Sequence, residues 1–405
     1  MWTNIKIWIK NRQNEIVNSI AFYPAIIVIT FLALAILSIL FDFSEKGMEI
    51  KSHLNWLQLR DASTARSIIS AITAGIITLT VFSFSMVMIV LNQTAPQLSN
   101  RILDNLIGSR FQQMVLGTYV GTIVYALFLL STIRDIDSGI HIPALSTYLL
   151  IVLTIVDIFL FIYFLHYITQ SIKYDVIIQR VLKETKSSME RTCKLQQLPP
   201  KTPPFESKYT VTAITSGIYL GVDQRILLRI GNDYDCIFYL LQSPGTFVLK
   251  GFPIAKVNKV LPAKVLKEVL KGIYVKPNES IKENYVFGFR QLTELAVKAL
   301  SPGINDPGTA IESLRALFQL YTYRTTFYPE NTIRDKELQA RVILKELTFK
   351  KIFKETIYPI WDYGHEDRLI QSALSHLLTV FLTITHNEKS AEALLQKVNL
   401  QMRNS

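Results

Sequence analysis

Long apolar runs alternate with short polar stretches in the first 170 residues of the chain. Four of these runs, at residues 21–41, 67–91, 113–133 and 144–167, contain few charged side chains. A helix needs about 20 mostly apolar residues to cross the hydrocarbon core of a bilayer. The pattern therefore predicts four transmembrane helices in a membrane domain at residues 21–170, preceded by a short cytoplasmic segment at residues 1–20.

The pattern changes after the fourth run. Residues 171–204 read as a charged helix that continues the last span, followed by a stiff Pro-rich linker. Apolar side chains then alternate with a period near two at 209–214, 217–222, 234–241 and 245–250, which predicts strands. From about residue 285 the period is helical, and further amphipathic helices are expected at 335–356 and 368–384. The predicted fold is an α-helical membrane domain plus an α+β domain, with a small β-rich part at 205–275 and a helical part at 276–405.

The overall charge adds an orientation to this picture. The 405 residues are 49% hydrophobic, with a formal net charge of +11 and a mean hydropathy of +0.26. A basic excess suits either nucleic acid or the anionic inner face of a membrane. The chain has no basic stripe interleaved with aromatic side chains, so the membrane is favoured over nucleic acid. Nine lysines and arginines flank the spans on one side and five on the other, which predicts that both termini and the α+β domain are cytoplasmic.

The second apolar run is rich in hydroxyl groups. At 100° per residue, Thr73 and Thr80 share one line of the helix, while other serines and threonines lie well away from it. Polar groups on two sides suggest a helix surrounded by protein or water, and Thr73, Thr80 and Ser83 become candidates for lining a pore. The structural alternative is that these hydroxyls bond their own backbone and hold helices together.

Two titratable residues stand out in the fourth run. Asp157 lies near its middle, where a carboxylate is costly and marks a functional site by default. It could bind a cation or a proton, or it could be protonated and hydrogen-bonded to a neighbouring hydroxyl. His166 lies at the inner end of the same run, where a histidine is more often an interfacial anchor than a ligand.

The third run contains a pair of glycines at helical spacing. Gly117 and Gly121 form a G-x-x-x-G pair, and small residues at this spacing let helix backbones approach closely in lipid. The pair predicts a packing seam within or between subunits, against the alternative of chance in an apolar stretch.

The most distinctive string of the polar half runs from residue 299 to 310. Ser301, Gly303, Asn305 and Asp306 belong to a turn fixed by two prolines and two glycines. Asp306 is placed to cap the next helix, so helix, rigid turn and capped helix account for every residue. The functional alternative is an anion or ligand site at the free N–H groups of that helix.

Catalytic and metal-binding signatures are absent from the sequence. It has neither a nucleophile elbow, a phosphate loop, a zincin motif nor a dinucleotide fingerprint after a strand. Cys193 and Cys236 are too few for a disulfide framework or a zinc cluster. We therefore expect a protein without enzymatic activity, cofactor or metal.

Three segments resemble a known family. The stretch that begins VFSFSMVMIVLNQTAPQLSN at Val81, the string YFLHYI at the end of the fourth run, and FGFRQLTELAVKALSPGINDPGTAI from Phe287 are similar to the DUF2254 family of predicted bacterial membrane proteins. The resemblance extends along nearly the whole chain. It implies a multi-pass protein of the bacterial cytoplasmic membrane, and it implies no activity because the family's function is unknown.

Two functions are favoured at this point over a third, an unrecognised enzyme, because no paired acid and base stand out in the sequence. The first is a channel or transport-type pore in the lipid bilayer, formed by a homo-oligomer because four spans per chain are few for a pore, and gated by the cytoplasmic domain. The second is a membrane-anchored sensor or scaffold, whose cytoplasmic domain binds a protein partner or a small ligand near the turn at residues 301–306.

Overall fold

A computed structural model describes residues 21–53, 61–94, 110–133, 142–196, 205–385 and 388–404. The chain forms two compact units, Met1–Lys173 and Tyr174–Ser405. The predicted cytoplasmic segment at residues 1–20 and the Pro-rich string at 199–204 lie outside the described residues.

The first unit is helical. Its elements are α1 (Phe22–Asp42), α2 (Glu45–His53), α3 (Ala62–Thr94), α4 (Arg110–Thr132) and α5 (Ala144–Ser171). The helices α1, α3, α4 and α5 coincide with the four apolar runs, and each is long and apolar enough to cross a membrane. Large apolar side chains such as Phe82 and Phe159 are exposed on them, 55% and 68% respectively, as a lipid environment permits.

The core of the first unit consists of two hydrophobic clusters. In one, Tyr125 and Leu129 of α4 pack with Ile69 of α3 and Leu150 of α5. In the other, Tyr119 of α4 packs with side chains of α3 and α5, including Phe164. The helices α3, α4 and α5 contribute to both clusters, and α4 is the most buried of the three.

The second unit combines helices with three sheets. Its helices are α6 (Tyr174–Thr192), α7 (Gln224–Asp233), α8 (Ala263–Lys271), α9 (Tyr285–Ala299), α10 (Pro307–Thr326), α11 (Phe349–Gly364), α12 (Arg368–Thr385) and α13 (Lys389–Asn404). Its strands are β1 (Cys193–Leu195), β2 (Tyr209–Thr212), β3 (Gly217–Val222), β4 (Phe238–Leu240), β5 (Thr246–Val248), β6 (Pro253–Val257), β7 (Ile273–Lys276), β8 (Tyr328–Pro329), β9 (Thr332–Arg334) and β10 (Ala340–Ile343).

The largest sheet has the strand order β2-β6-β4-β10-β9. β4 and β10 run parallel, with Phe238 opposite Val342, and the other neighbours in this sheet are antiparallel. A three-stranded antiparallel sheet has the order β5-β3-β7, and β1 pairs with β8. The buried side chains of β4, β6 and β10 form the core of this region together with residues of α7 and α8.

Aromatic side chains form the core of the helical part of the second unit. Tyr321 of α10 is fully buried, and its ring lies 5.1 Å from that of Phe353 and 5.5 Å from that of Phe289, measured between centroids. Phe381 of α12 stacks on Phe349 at 5.9 Å. These contacts join α9, α10, α11 and α12.

The second unit differs from the sequence expectations at two places. The helix expected at 335–356 is wrong in its first part, because β9 and β10 form an antiparallel hairpin there and α11 begins at Phe349. Val342 and Ile343 are buried and β-branched, and pairing with β4 selects the strand. In addition, the expected count of four spans is not confirmed, because α12 also meets the length and composition of a membrane span and the described residues contain five such helices.

Candidate functional site

The three candidate pore-lining hydroxyls of α3 lie on the inner face of that helix. Thr73 and Ser83 are buried, and Thr80 is half-buried. Thr73 Oγ1 donates to the Ile69 carbonyl at 2.7 Å, and Thr80 Oγ1 donates to the Ile76 carbonyl at 2.7 Å. Both hydroxyls therefore donate their hydrogen bonds to carbonyl groups of their own helix. This is the structural alternative to pore lining that the sequence left open for them.

A second line of hydroxyls on α3 faces outward. Ser67, Thr78 and Ser85 are exposed, whereas the three predicted pore-lining residues point into the chain's own helix packing. A pore lined by α3 in an oligomer would need its lining residues on the exposed face. The structure therefore places Thr73 and Ser83 inside the packing of one chain, with Thr80 at the margin of that packing.

Four polar side chains from three helices meet in the interior of the first unit. We call them the Asp157 cluster: Ser83 of α3, Tyr119 and Thr122 of α4, and Asp157 of α5, all with 0% exposure. The Ser83 and Tyr119 hydroxyls face each other, and the Asp157 carboxylate lies near both Tyr119 and Thr122. The cluster thus brings together two residues that the sequence singled out, Ser83 and Asp157, with two that it did not.

The polar atoms of this cluster lack partners. Within the described part of the chain, the two Asp157 oxygens and the Ser83 and Tyr119 hydroxyls make no hydrogen bond of regular geometry, although the Thr122 hydroxyl lies close to the carboxylate. The Thr122 hydroxyl donates to the Thr118 carbonyl at 3.1 Å, so its proton is not directed at the carboxylate. An unpaired ionised carboxylate in apolar surroundings costs several kcal/mol. Asp157 is therefore stable here only with a proton or a cation bound.

His166 is separate from the cluster. It is exposed on α5, more than two turns beyond Asp157. The structure therefore does not bring the two titratable residues of the fourth run together.

The two glycines of α4 lie against α1. A Cβ atom added to Gly117 would lie 2.9 Å from the Cα of Pro24, and one added to Gly121 would lie 2.7 Å from Cγ of Phe31. Both distances are far inside van der Waals contact, so only glycine allows this approach. The G-x-x-x-G pair is a packing seam between two helices of the same chain.

A buried charge at the end of α1 escaped the sequence analysis. Asp42 is fully buried, and its carboxylate accepts from Lys51 Nζ at 2.8 Å, from the Ser146 N–H at 2.7 Å and from Ser146 Oγ at 2.9 Å. Tyr125 donates to the Ser146 carbonyl at 3.0 Å. The carboxylate thus caps the start of α5 from another helix, and Lys51 of α2 neutralises it. The one sign of this site in the sequence is that an aspartate, Asp42, directly follows the first apolar run.

The turn at residues 301–306 is a helix cap. Asp306 accepts from the Thr309 N–H at 3.1 Å and from Thr309 Oγ1 at 2.6 Å. Ser301 Oγ donates to the Lys298 carbonyl at 2.7 Å, and Asn305 has a φ of +48°. Nothing lies within 4 Å of a Cβ built on Gly303. The Asp306 carboxylate already occupies the start of α10, where an external anion would have to bind.

The second unit contains a cavity of about 460 Å³ at a different place. We call it the Arg324 cavity. Its walls include Arg324 of α10, Glu346 and Lys345 after β10, and Lys350 at the start of α11. Arg324 is 3% exposed, and its guanidinium donates to the Tyr285 hydroxyl at 3.2 Å and to the Leu347 carbonyl at 3.1 Å. The cavity is not visible in the sequence, because Arg324 looks there like an ordinary polar residue of an amphipathic helix.

Glu346 is the unusual acid of this cavity. Burial raises the pKa of Glu346 to about 7, and the positive charge of Arg324 opposes that shift. The carboxyl group can therefore gain or lose a proton near neutral pH.

Metal and thiol chemistry find little support in the described residues. No group of three or more His, Cys, Asp or Glu side chains is arranged there to hold a metal ion. Cys193 and Cys236 are buried, and burial raises the pKa of each thiol to about 11. Both thiols are thus protonated and shielded, as structural cysteines are.

Comparison with known proteins identifies a family but no function. Residues 17–380 match the family described as "Predicted membrane protein (DUF2254)". Uncharacterised proteins of Mycobacterium bovis and of two Mycobacterium tuberculosis strains, H37Rv and CDC 1551, are each 25% identical over 333 residues. The alignment covers 78% of this chain and 63% of each relative, so the chain spans less than two thirds of their length. No solved structure matches the chain.

Proposed function

Because this chain belongs to the DUF2254 family of predicted membrane proteins, we propose a function within the bilayer: a transport-type protein of the bacterial cytoplasmic membrane in which Asp157 binds a proton or a small cation. The observation that supports this proposal is the fully buried carboxylate of Asp157, which makes no hydrogen bond of regular geometry among the described residues. Intramembrane carboxylates of this kind typically belong to ion or proton pathways.

The proposed pathway runs inside one chain. Ser83, Tyr119 and Thr122 supply hydroxyl oxygens around the carboxylate, and oxygen atoms are suitable ligands for a proton relay or a hard cation. All four side chains of the Asp157 cluster belong to α3, α4 and α5. A homo-oligomer, expected from the sequence, is therefore compatible with this site but is not needed to form it.

The proposed spans are α1, α3, α4 and α5. We leave out α12 because its apolar face is used within the second unit, where Phe381 contacts Phe318 at 5.7 Å and Phe349 at 5.9 Å. The exposed face of α12 includes His376, which would be costly against lipid. With four spans and the distribution of lysines and arginines, both termini and the second unit are proposed to be cytoplasmic.

The test is proton and cation flux in liposomes that contain the purified full-length protein. Proton entry is followed with a trapped pH dye, and potassium and sodium gradients are applied in turn. We expect Asp157→Asn, which keeps the shape but removes the charge, to lower the flux at least tenfold, a barrier increase of about 1.4 kcal/mol or more. Ser83→Ala should lower it, whereas Ser85→Ala, an exposed serine on the same helix, should leave it unchanged.

Two results would count against the proposal. One is the absence of any flux from protein that is correctly inserted and monodisperse. The other is wild-type flux through Asp157→Asn, because a pathway that ignores this carboxylate cannot be the one described.

A membrane-anchored sensor is the second candidate, and the Arg324 cavity favours it. In that case the first unit anchors the chain and the second unit binds a small ligand. A protein that binds a ligand in the cavity but conducts no ion would support the sensor over the transporter.

A further inference from the structure

The Arg324 cavity has the dimensions of a ligand site. Its volume of about 460 Å³ lies within the range of about 300–1,000 Å³ found for small-molecule pockets. Tyr239, Tyr328, Leu344 and Phe349 provide apolar and aromatic wall surface. Such a cavity suits a molecule with an aromatic or apolar body, up to about the size of a mononucleotide.

The charges around the cavity determine the sign of its ligand. Arg324, Lys345 and Lys350 contribute three cations to the walls, and Glu346 and Glu388 contribute two carboxyl groups. Burial raises the pKa of Glu346 to about 7 and also raises the pKa of Glu388, so both acids carry less negative charge than exposed ones. A cation would be repelled by the three basic side chains, whereas an anion would be attracted.

Backbone groups add to this positive environment. Phe349 and Lys350, the first two residues of α11, line the cavity. The first N–H groups of a helix have no partner within it, and its start has a partial positive charge. The Thr348 side chain caps the helix by accepting a hydrogen bond from the Lys351 N–H. It therefore does not accept from the N–H groups of Phe349 and Lys350, which can donate to a ligand.

Arg324 is built into the wall and cannot turn away. Its guanidinium is held by the Tyr285 hydroxyl and by the Phe327 and Leu347 carbonyls, all of which are neutral acceptors. Its carbon Cζ lies 5.4 Å from the centre of the Tyr328 ring. A buried cation with only neutral acceptors favours an anionic partner, because Coulomb attraction is strong where solvent is excluded.

We infer that the Arg324 cavity binds a small organic anion, with its acidic group toward Arg324 and the start of α11 and its apolar body against the aromatic walls, and that Glu346 must be protonated for tight binding. Ionised Glu346 would repel the anion, whereas the protonated group can donate a hydrogen bond to it. The titratable and charged groups that face Glu346 are Arg324, Lys345, Lys350, Glu388, Tyr219, Tyr285 and Cys193.

The sign of the pH dependence follows directly. Because anion binding favours the protonated form of Glu346, affinity should rise as the pH falls through about 7. With one linked proton and this pKa, the affinity should increase by about tenfold from pH 8 to pH 6 and change little below that. The other facing tyrosines and the thiol have raised pKa values and stay neutral in this range.

The experiment is calorimetric titration of the full-length protein in detergent with three probes: adenosine monophosphate, benzoate and inorganic phosphate. At least one organic anion should bind more tightly than phosphate, since phosphate cannot use the apolar walls. Lys350→Glu should weaken binding at least tenfold, and Lys354→Glu, one turn further along α11 and exposed, should not. The pH dependence is measured with benzoate, whose charge is constant between pH 8 and pH 6, because a phosphate group changes its own charge in that range. Glu346→Gln should remove this dependence, while Glu388→Gln should retain it.

Several outcomes would overturn the inference. They are no binding of either organic anion at millimolar concentration, equal effects of Lys350→Glu and Lys354→Glu, and affinity that rises with pH. Lys350 and Lys354 are exposed, so these variants keep the fold even where a change at Arg324 would not. The assay uses no ion gradient, so its result is independent of whether Asp157 transports an ion.

Discussion

The buried pair of Asp42 and Lys51 offers the sharpest test of how the membrane unit is held together. Lys51→Met removes the only cation within 4 Å of the carboxylate among the described residues. Asp42 would keep its two bonds from Ser146, but a fully buried charge would lose its counterion. Breaking a buried pair in this way costs about 3–5 kcal/mol. We expect the lower end, about 3 kcal/mol, because the Lys51 side chain is 18% exposed and the pair is reached by some solvent.

A double-mutant cycle separates the charge interaction from other losses. Asp42→Asn should cost about 2 kcal/mol, because an amide oxygen can still accept from Ser146 and Lys51 can reach solvent. Once the carboxylate is neutral, Lys51→Met should add little, so the double variant should resemble Asp42→Asn and give a coupling of about 2–3 kcal/mol. The free energy of unfolding would be measured by SDS titration in mixed micelles, followed by far-UV circular dichroism.

The control for this cycle is Lys46→Met, an exposed lysine on the same short helix. It should change the unfolding free energy by no more than about 0.5 kcal/mol. Lys51 does not act as the counterion of Asp42 if Lys51→Met costs no more than Lys46→Met, or if the two single changes add without coupling.

Two further predictions concern packing and thiol reactivity. Gly121→Ala should destabilise the protein by about 1–3 kcal/mol because its Cβ would meet the Phe31 ring, whereas Gly75→Ala, with nothing within 4 Å, should be close to neutral in the same SDS titration. Cys193 and Cys236, with pKa values raised to about 11, should resist maleimide at pH 7 in the native protein and react after denaturation. Mass spectrometry would count the labels, and rapid modification of either native thiol would contradict the burial described for it.

The membrane helices were predictable because a span can be recognised from a continuous stretch of sequence alone. A run of about 20 apolar residues is sufficient evidence for a span, and α1, α3, α4 and α5 lie on the four predicted runs. β3 was also predicted with its observed bounds, Gly217–Val222. The β9–β10 hairpin was missed because its surrounding sequence is rich in good helix formers. Its strand conformation depends on pairing with β4, which the local sequence does not contain.

In the candidate site, too, individual residues could be predicted from the sequence but their contacts could not. Asp157 and Ser83 could be singled out individually, because a carboxylate or a hydroxyl in an apolar run is visible in sequence. Their meeting with Tyr119 depends on the rotation of three helices about their axes, which the sequence does not specify. Conversely, the distinctive turn before α10 proved to be filled by its own capping residue, Asp306. Rigid turns are conspicuous in sequence because backbone geometry demands them, whether or not they bind a ligand.

The position of β10 in the large sheet has a consequence for how the protein is made. Phe238 of β4 pairs with Val342 of β10, so the two strands are adjacent in space but far apart along the chain. As the ribosome delivers the chain, β2, β4 and β6 emerge well before β9 and β10, and β4 remains an open edge during that interval. Such an edge is a template for pairing with another chain. Because synthesis proceeds at about 5–20 residues per second, the roughly 100 residues between β4 and β10 leave this edge unpaired for on the order of 5–20 seconds.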